Sequence, residues 1–207
     1  MKRRLSLFLL AAGFITGLAA CSSFNPPPKP QYFTLDPGRA PKMESLGAAS
    51  ANATASVSFV DVAAPFASDG FVYQTSAHRW EVDPYNQFLV SPADMMTSVL
   101  RNWLRQSGLY GEVAETGVGG GQDFLVDCNL TELYGDFQNP NAPVAILKLE
   151  AQVFRRTDKG RVVVLRKTFS QAVPFGQRTP AALVEAWNEG LRVELNELLR
   201  ALGELRR

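Results

Sequence analysis

The sequence predicts an α+β fold in which an antiparallel β-sheet carries two α-helices packed on one face. Three long segments between Phe124 and Val173 alternate apolar and polar residues and are joined by short links, which is typical of an antiparallel meander. Apolar residues at helical spacing follow Ser91 and, over a longer stretch, Thr179. The predicted order is strands, helix, strands and a long C-terminal helix, with few parallel crossovers implied.

The strands are predicted where β-branched and aromatic residues cluster or alternate with polar ones. The predicted extended segments are 31–35, 56–62, 71–75, 77–82, 124–137, 144–155 and 161–173. Residues 47–56 are small and polar without an apolar period, so they predict a loop.

Both helices have a clear start signal. Ser91 is placed as an N-cap with Pro92 at the first helical position, and Thr179 and Pro180 repeat this arrangement. Gly108 is placed to end the first helix, because glycine readily adopts the left-handed conformation of a helix C-terminus.

The N-terminal residues have the pattern of a secretory signal peptide. Lys2, Arg3 and Arg4 precede an apolar run that ends at residue 18, and small residues lead to Cys21. The run is shorter than the roughly 20 apolar residues of a membrane span. The Leu-Ala-Ala-Cys stretch resembles the bacterial lipobox. The alternatives are an ordinary cysteine in a secreted protein and an uncleaved anchor.

The lipobox resemblance implies that residues 1–20 are removed and that Cys21 becomes the acylated first residue of the mature protein. The attached groups would be diacylglycerol and an acyl chain such as palmitate, and no other cofactor is expected. Residues 21–30 then form a short tether, which is proline-rich and therefore stiff. Ser22 follows the cysteine where inner-membrane lipoproteins have Asp, which implies export to the outer membrane. Residues 31–207 form one domain.

Charge and cysteine content exclude several classes of function. The whole chain has a net charge of +1, and removal of the three basic residues of the signal leaves −2. A nearly neutral chain lacks the concentrated positive charge that nucleic acid binding requires. Cys128 has no partner within the chain if Cys21 is acylated, so a disulfide framework is not expected.

No arrangement of residues predicts catalysis, so the chain is not expected to be an enzyme. His78 is the only histidine, and it lies in an alternating segment without a recognisable nucleophile. Cys128 lies on the apolar side of its strand and is interpreted as a buried side chain. Gly117 to Gly121 lacks the Lys-Ser/Thr of a phosphate-binding loop.

Six ring-bearing residues occur between residues 71 and 88. Core packing is the preferred interpretation, and a partner surface is the alternative because aromatic residues are enriched in interface cores. The candidate partner surface comprises Phe71, Tyr73, Trp80, Tyr85 and Phe88.

Several short motifs, in order, resemble the PqiC-type ABC transport auxiliary lipoproteins. The motifs are Tyr32-Phe33-Thr34-Leu35, Phe71-Val72-Tyr73, His78-Arg79-Trp80, Phe88-Leu89-Val90-Ser91-Pro92, Tyr134-Gly135-Asp136-Phe137 with Ala145-Ile146-Leu147, and Glu185-Ala186-Trp187-Asn188. Together they cover nearly all of the mature chain, although the small polar stretch at 47–56 departs from the family pattern.

The resemblance implies a non-enzymatic adaptor, anchored in the outer membrane of a diderm bacterium and facing the periplasm. Its partner would be an MCE-domain protein of a phospholipid transport system powered by an ABC transporter, and it would act alone or as a homo-oligomer. The alternatives are a lipid carrier with an apolar groove between sheet and helices, and an envelope hydrolase that depends on His78.

Overall fold

The computed structural model describes residues 28–43, 52–115 and 121–205. The predicted signal peptide, Cys21, the first half of the 47–56 loop and most of the 117–121 glycine cluster lie outside these residues. The strands and helices are β1 Gln31–Phe33, β2 Thr54–Val57, β3 Asp61–Val62, β4 Gly70–Ser76, β5 Arg79–Phe88, α1 Pro92–Ser107, β6 Glu112–Glu115, β7 Phe124–Asp136, β8 Val144–Thr157, β9 Gly160–Pro174 and α2 Pro180–Glu204.

Strand β7 is the centre of the sheet. On one edge it pairs with β8 in antiparallel fashion from Phe124 to Asp136, and β8 pairs in the same way with β9. On the other edge, β2, β3 and β4 follow one another along β7, and all three run parallel to it. Strands β6, β5 and β1 extend this second side further outward.

The sheet is mixed, so the prediction of a purely antiparallel sheet is wrong, whereas the α+β class and the β7–β8–β9 meander are confirmed. Parallel neighbours require a long return connection, usually a helix. Helix α1 follows β2, β3 and β4 in the chain and precedes β7, the strand with which all three pair. It is therefore part of the connection that brings the chain back so that β7 runs in the same direction as they do. The alternating pattern of single strands carries no information about this return.

Both predicted helix starts are confirmed by their capping contacts. Ser91 Oγ accepts a hydrogen bond from the Asp94 backbone N–H at 3.2 Å. Thr179 Oγ1 accepts one from the Ala182 N–H at the same distance. Gly108 ends α1 with φ of 67°, a left-handed conformation that favours glycine. These local signals are sufficient to place each helix start without tertiary information.

Alternate residues of the long strands divide the sheet into two faces, which we call the covered face and the open face. On the covered face, α2 packs over β8 and β9, α1 packs over β2, β3 and β6, and the helices touch each other. Its side chains form the core together with Trp187, Leu191 and Leu195 of α2. On the open face, the intervening residues of β7 are only partly buried.

Glu194 is a polar exception within the covered core. Its side chain is fully buried, and neither carboxyl oxygen has a hydrogen-bond partner among the described residues. Burial, together with repulsion from Glu197, raises the pKa of Glu194 to about 9. The side chain is therefore protonated and neutral at pH 7.

Candidate partner surface

The tether approaches the sheet through β1. Residues 28–30 are exposed, and Gln31 then pairs with Asn86 of β5. Strand β5 pairs with β4, which meets β7 at Gly135 and Asp136. The chain therefore enters the sheet near the end at which β7 finishes.

Phe71 and Phe88, two of the five candidate partner residues, belong to the core. Phe71 is fully buried and Phe88 is 3% exposed. Their rings lie 4.7 Å apart, and both contact the Trp187 ring, at 5.1 and 5.7 Å respectively. They face the helices from strands β4 and β5, so they cannot form a surface of the folded protein.

Tyr73 stabilises the β4–β5 hairpin through Asp83. Its hydroxyl donates a hydrogen bond to Asp83 Oδ2 at 2.9 Å, and its ring contacts Phe137. Burial and the neighbouring carboxylate raise the pKa of Tyr73 above its usual value, so the hydroxyl remains a donor.

The Asp83 carboxylate also organises the irregular middle of β5. It accepts hydrogen bonds from the backbone N–H groups of Tyr85 and Asn86, at 2.8 and 3.1 Å. Burial alone would raise the pKa of Asp83, but these bonds and those from the side chains of Asn86 and Tyr73 lower it overall. Pro84 therefore fits into a strand that local sequence signals predict to stop near Val82.

Trp80 and Tyr85 are the candidate residues that remain exposed, at 44% and 38%. Trp80 lies on the open face, where its ring packs against Tyr134 at 4.9 Å and Phe66 at 6.2 Å. We call these three residues the aromatic patch. Phe66 and Tyr134 were not among the predicted partner residues, although Tyr134 is an aromatic residue on the open side of β7, where Asp127 and Asn129 also lie.

The middle of the open face is polar. A shallow groove there is lined by residues of β3, β7, β8 and β9, including Asp127, Asn129, Glu150 and Thr168. Within the described residues, no group of three or more His, Cys, Asp and Glu side chains could hold a metal ion.

His78 and Cys128, the two residues considered as candidates for catalysis, differ in burial and in surroundings. His78 is exposed in the tight turn between β4 and β5. Cys128 is 3% exposed on the covered face, and burial raises the pKa of its thiol, which keeps the thiol protonated and unreactive. Cys128 lies on the apolar side of its strand as predicted, whereas His78 lies in the turn and not in the extended segment 77–82 predicted for it.

The chain belongs to a known family of transport proteins. A family model described as ABC-type transport auxiliary lipoprotein component matches residues 33–198, which confirms the PqiC-type resemblance. No described helix is long and apolar enough to cross a membrane. No curated protein matches the chain.

Solved structures share the fold at low sequence identity. Protein XCC0632 from Xanthomonas campestris is 16% identical with a TM-score of 0.72, and the match covers 84% of this chain and 96% of that one. A second crystal structure, of an uncharacterized protein, is 18% identical with a TM-score of 0.62, covering 84% and 99%. The hypothetical protein CT253 from Chlamydia trachomatis is 10% identical with a TM-score of 0.51, covering 75% and 98%. These likenesses concern the fold alone.

Proposed function

We propose that this protein is a lipid-anchored adaptor of the outer membrane that faces the periplasm and docks an MCE-domain protein of an ABC-powered phospholipid transport system. The family match over residues 33–198 is the observation that carries the proposal. The transported lipid passes through the partner, and the adaptor holds that partner at the membrane. The adaptor acts without enzymatic chemistry and without a cofactor other than the acyl groups on Cys21.

The lipobox and the short tether support the anchoring step. One acyl chain holds a protein at a membrane only reversibly, whereas several chains on one cysteine anchor it stably. The ten residues from Cys21 to Gln31 allow the sheet to reach only about 30 Å from the anchor. A partner that arrives from the inner membrane therefore meets the domain at a defined height.

The packing of the core argues against the alternative of a lipid carrier. A carrier would need an apolar cavity between sheet and helices. In the described residues this space is occupied by side chains such as Trp187, Leu191 and Leu195, which are at most 1% exposed. Close packing of these side chains supports the adaptor over the carrier.

Co-purification tests the adaptor function directly. The tagged full-length lipoprotein is extracted from membranes in mild detergent, and the MCE-domain protein of the same transport system is measured in the eluate. We expect stoichiometric recovery from the wild type. Absence of the MCE protein, both in the eluate and after chemical cross-linking in cells, would contradict the proposal.

The two cysteines provide a matched pair for the anchoring step. Cys21→Ala should give a folded protein that leaves the membrane fraction and no longer retains the MCE protein there. Cys128→Ala removes the other thiol, which is buried in the core, and should remain in the membrane fraction with its partner. Equal membrane retention of the two variants would contradict anchoring through Cys21.

A further inference from the structure

Positive charge is concentrated at the turn between β8 and β9. Residues 155–167 contain six basic side chains and one acidic side chain, a net charge of +5 in a protein whose total is +1. Of the six, only Arg156 has a carboxylate within 4 Å among the described residues, namely Asp123 at 3.5 Å. This positive charge is therefore largely uncompensated by the protein itself.

The open face at this turn combines apolar and basic side chains. Phe154 pairs with Val163 across the two strands, and Val163 is 41% exposed. Arg156 and Arg161 share the face with them, because strand residues alternate between faces. Arg166 joins them because the register shift just before Phe154 inserts one extra residue into β9. We call these five residues the distal tip. An apolar centre bordered by arginines is the composition of a protein interface.

Arg156 and Arg161 lie directly opposite each other across β8 and β9. Like charges in this position destabilise a sheet. Arg166 is held in place by the side-chain oxygen of Gln152, which accepts from Nε at 2.6 Å in the amide orientation that satisfies both partners. The repulsion between Arg156 and Arg161 therefore lowers the stability of the free protein, and an acidic partner would relieve that repulsion.

The distal tip lies at the opposite end of the sheet from the tether. Arg155, next to the tip, pairs with Phe124, where β7 begins. The tether joins through β1, β5 and β4 near Gly135, where β7 finishes. These two points on β7 are roughly 36 Å apart at about 3.3 Å per residue. An anchored domain would therefore direct the tip away from its own membrane.

From these observations we infer that the distal tip is the docking surface for the partner protein, and that it binds an acidic segment carrying at least one exposed apolar side chain. This inference rests on the proposed function, since it requires a lipid anchor at the tether end and a protein partner in the periplasm. It assigns the partner's binding chemistry, which the family match does not.

The test uses the acylated full-length protein in detergent, with the purified MCE-domain protein as the probe. Binding is compared between the wild type, Arg156→Glu/Arg161→Glu in the tip, and Arg192→Glu/Arg200→Glu on the outer surface of α2. Both double variants change the charge by the same amount at exposed positions. Thermal unfolding of each variant verifies that it is folded, and Arg156→Ala/Arg161→Ala repeats the test without introducing acidic groups.

We expect the tip reversal to weaken binding about tenfold or more, and the α2 control to stay within about threefold of the wild type. Raising the salt concentration should weaken the wild type more than the tip variant, because the tip charges dominate the attraction. Equal affinity of the tip variant and the wild type would overturn the inference while leaving the adaptor function intact. Failure of every form, including the wild type, to bind would overturn the proposed function and this inference with it.

Two other occupants are distinguished by further measurements. The mature chain with Cys21→Ser is mixed with vesicles of phosphatidylethanolamine and phosphatidylglycerol at 3:1. Vesicle binding that the tip reversal abolishes and the α2 control retains would make an anionic membrane the occupant and overturn the inference. Self-association that depends on the tip, measured by light scattering, would likewise identify a second copy of the chain.

Discussion

The covered and open faces of β7 and β8 are built from alternate residues of the same strands, yet they differ in burial and in polarity. On the covered face, Val126, Leu130 and Leu149 are fully buried beneath the helices. On the open face, the intervening residues are partly exposed, and those in the middle of the face are polar. One face supplies the free energy of folding, so the other can carry charged and exposed groups that folding does not require.

The tryptophans illustrate this difference. Trp187 is 1% exposed and packs against Phe71 and Phe88 in the core. Trp80 is 44% exposed and packs against the Tyr134 and Phe66 rings of the aromatic patch on the open face. Trp80 lies between Phe71 and Phe88 in the sequence, yet it faces the surface while they are buried. The face on which a strand places an aromatic side chain therefore decides whether it packs in the core or is exposed.

Truncation of Trp187 should have the largest effect on stability. Trp187→Ala leaves a cavity between the sheet and α2, and it removes the indole N–H that donates to the Tyr134 carbonyl at 3.3 Å. We expect a loss of about 3–5 kcal/mol in the free energy of unfolding, measured by urea denaturation. If this variant does not fold, Trp187→Phe should show a smaller loss in the same direction.

Trp80→Ala is the matched change on the open face. We expect a loss of about 1 kcal/mol, because almost half of this side chain is already in water. A loss as large as that of the Trp187 variant would show that the open face contributes to folding as much as the covered face does.

Glu194 should make stability depend on pH. Its pKa is about 9 in the folded protein, and 4.5 is the ordinary value expected after unfolding. Between these values the folded state holds the extra proton, so the contribution of Glu194 to stability is fully present below pH 4.5 and is lost as the pH rises toward 9. Glu194→Gln should remove a loss on the order of 2 kcal/mol or more between pH 5 and 8, measured by urea denaturation across that range.

Glu185→Gln, at an exposed position on the same helix, is the control for the pH experiment. It should retain the pH dependence of the wild type. A wild type whose stability is constant from pH 5 to 8 would show that Glu194 gains a partner or water in solution.

The ion pair between Lys148 and Glu132 on the open face should have the smallest effect. The two side chains are 36% and 32% exposed, and their charged atoms lie 2.8 Å apart. Exposed pairs of this kind contribute little, because water already solvates both charges. Lys148→Met should leave the urea midpoint unchanged within experimental error, whereas a clear drop would mean that the open face is stabilised by its charges.

Local sequence signals determine the elements but not the way in which they pair. Ser91, Gly108 and Thr179 act through their own backbone neighbours, so both helices could be predicted within a residue or two. The parallel placement of β2, β3 and β4 along β7 depends on contacts between residues far apart in the chain. The predicted 56–62 strand likewise divides into β2 and β3, each pairing with a different part of β7.

The candidate surface likewise depends partly on local sequence patterns and partly on contacts between residues far apart in the chain. The signal peptide and Cys21 stay predictions from a local pattern, because they lie outside the described residues. Core packing is the preferred prediction for the ring cluster, and Phe71 and Phe88 confirm it. Which rings face the helices could not be predicted, because the bulges in the β4–β5 pairing decide it. The distal tip was also missed, since its charges lie on two strands and gather on one face only when β8 and β9 pair.

Site-specific photo-cross-linking in cells tests the central claim, that the anchored protein binds its partner through the open face. A photoreactive amino acid replaces either Val163 at the distal tip or Arg192 on the outer surface of α2, and the cross-linked products are probed for the MCE-domain protein. We expect a cross-link to that protein from position 163 and none from position 192. A cross-link from position 192 alone, or from neither position, would contradict it.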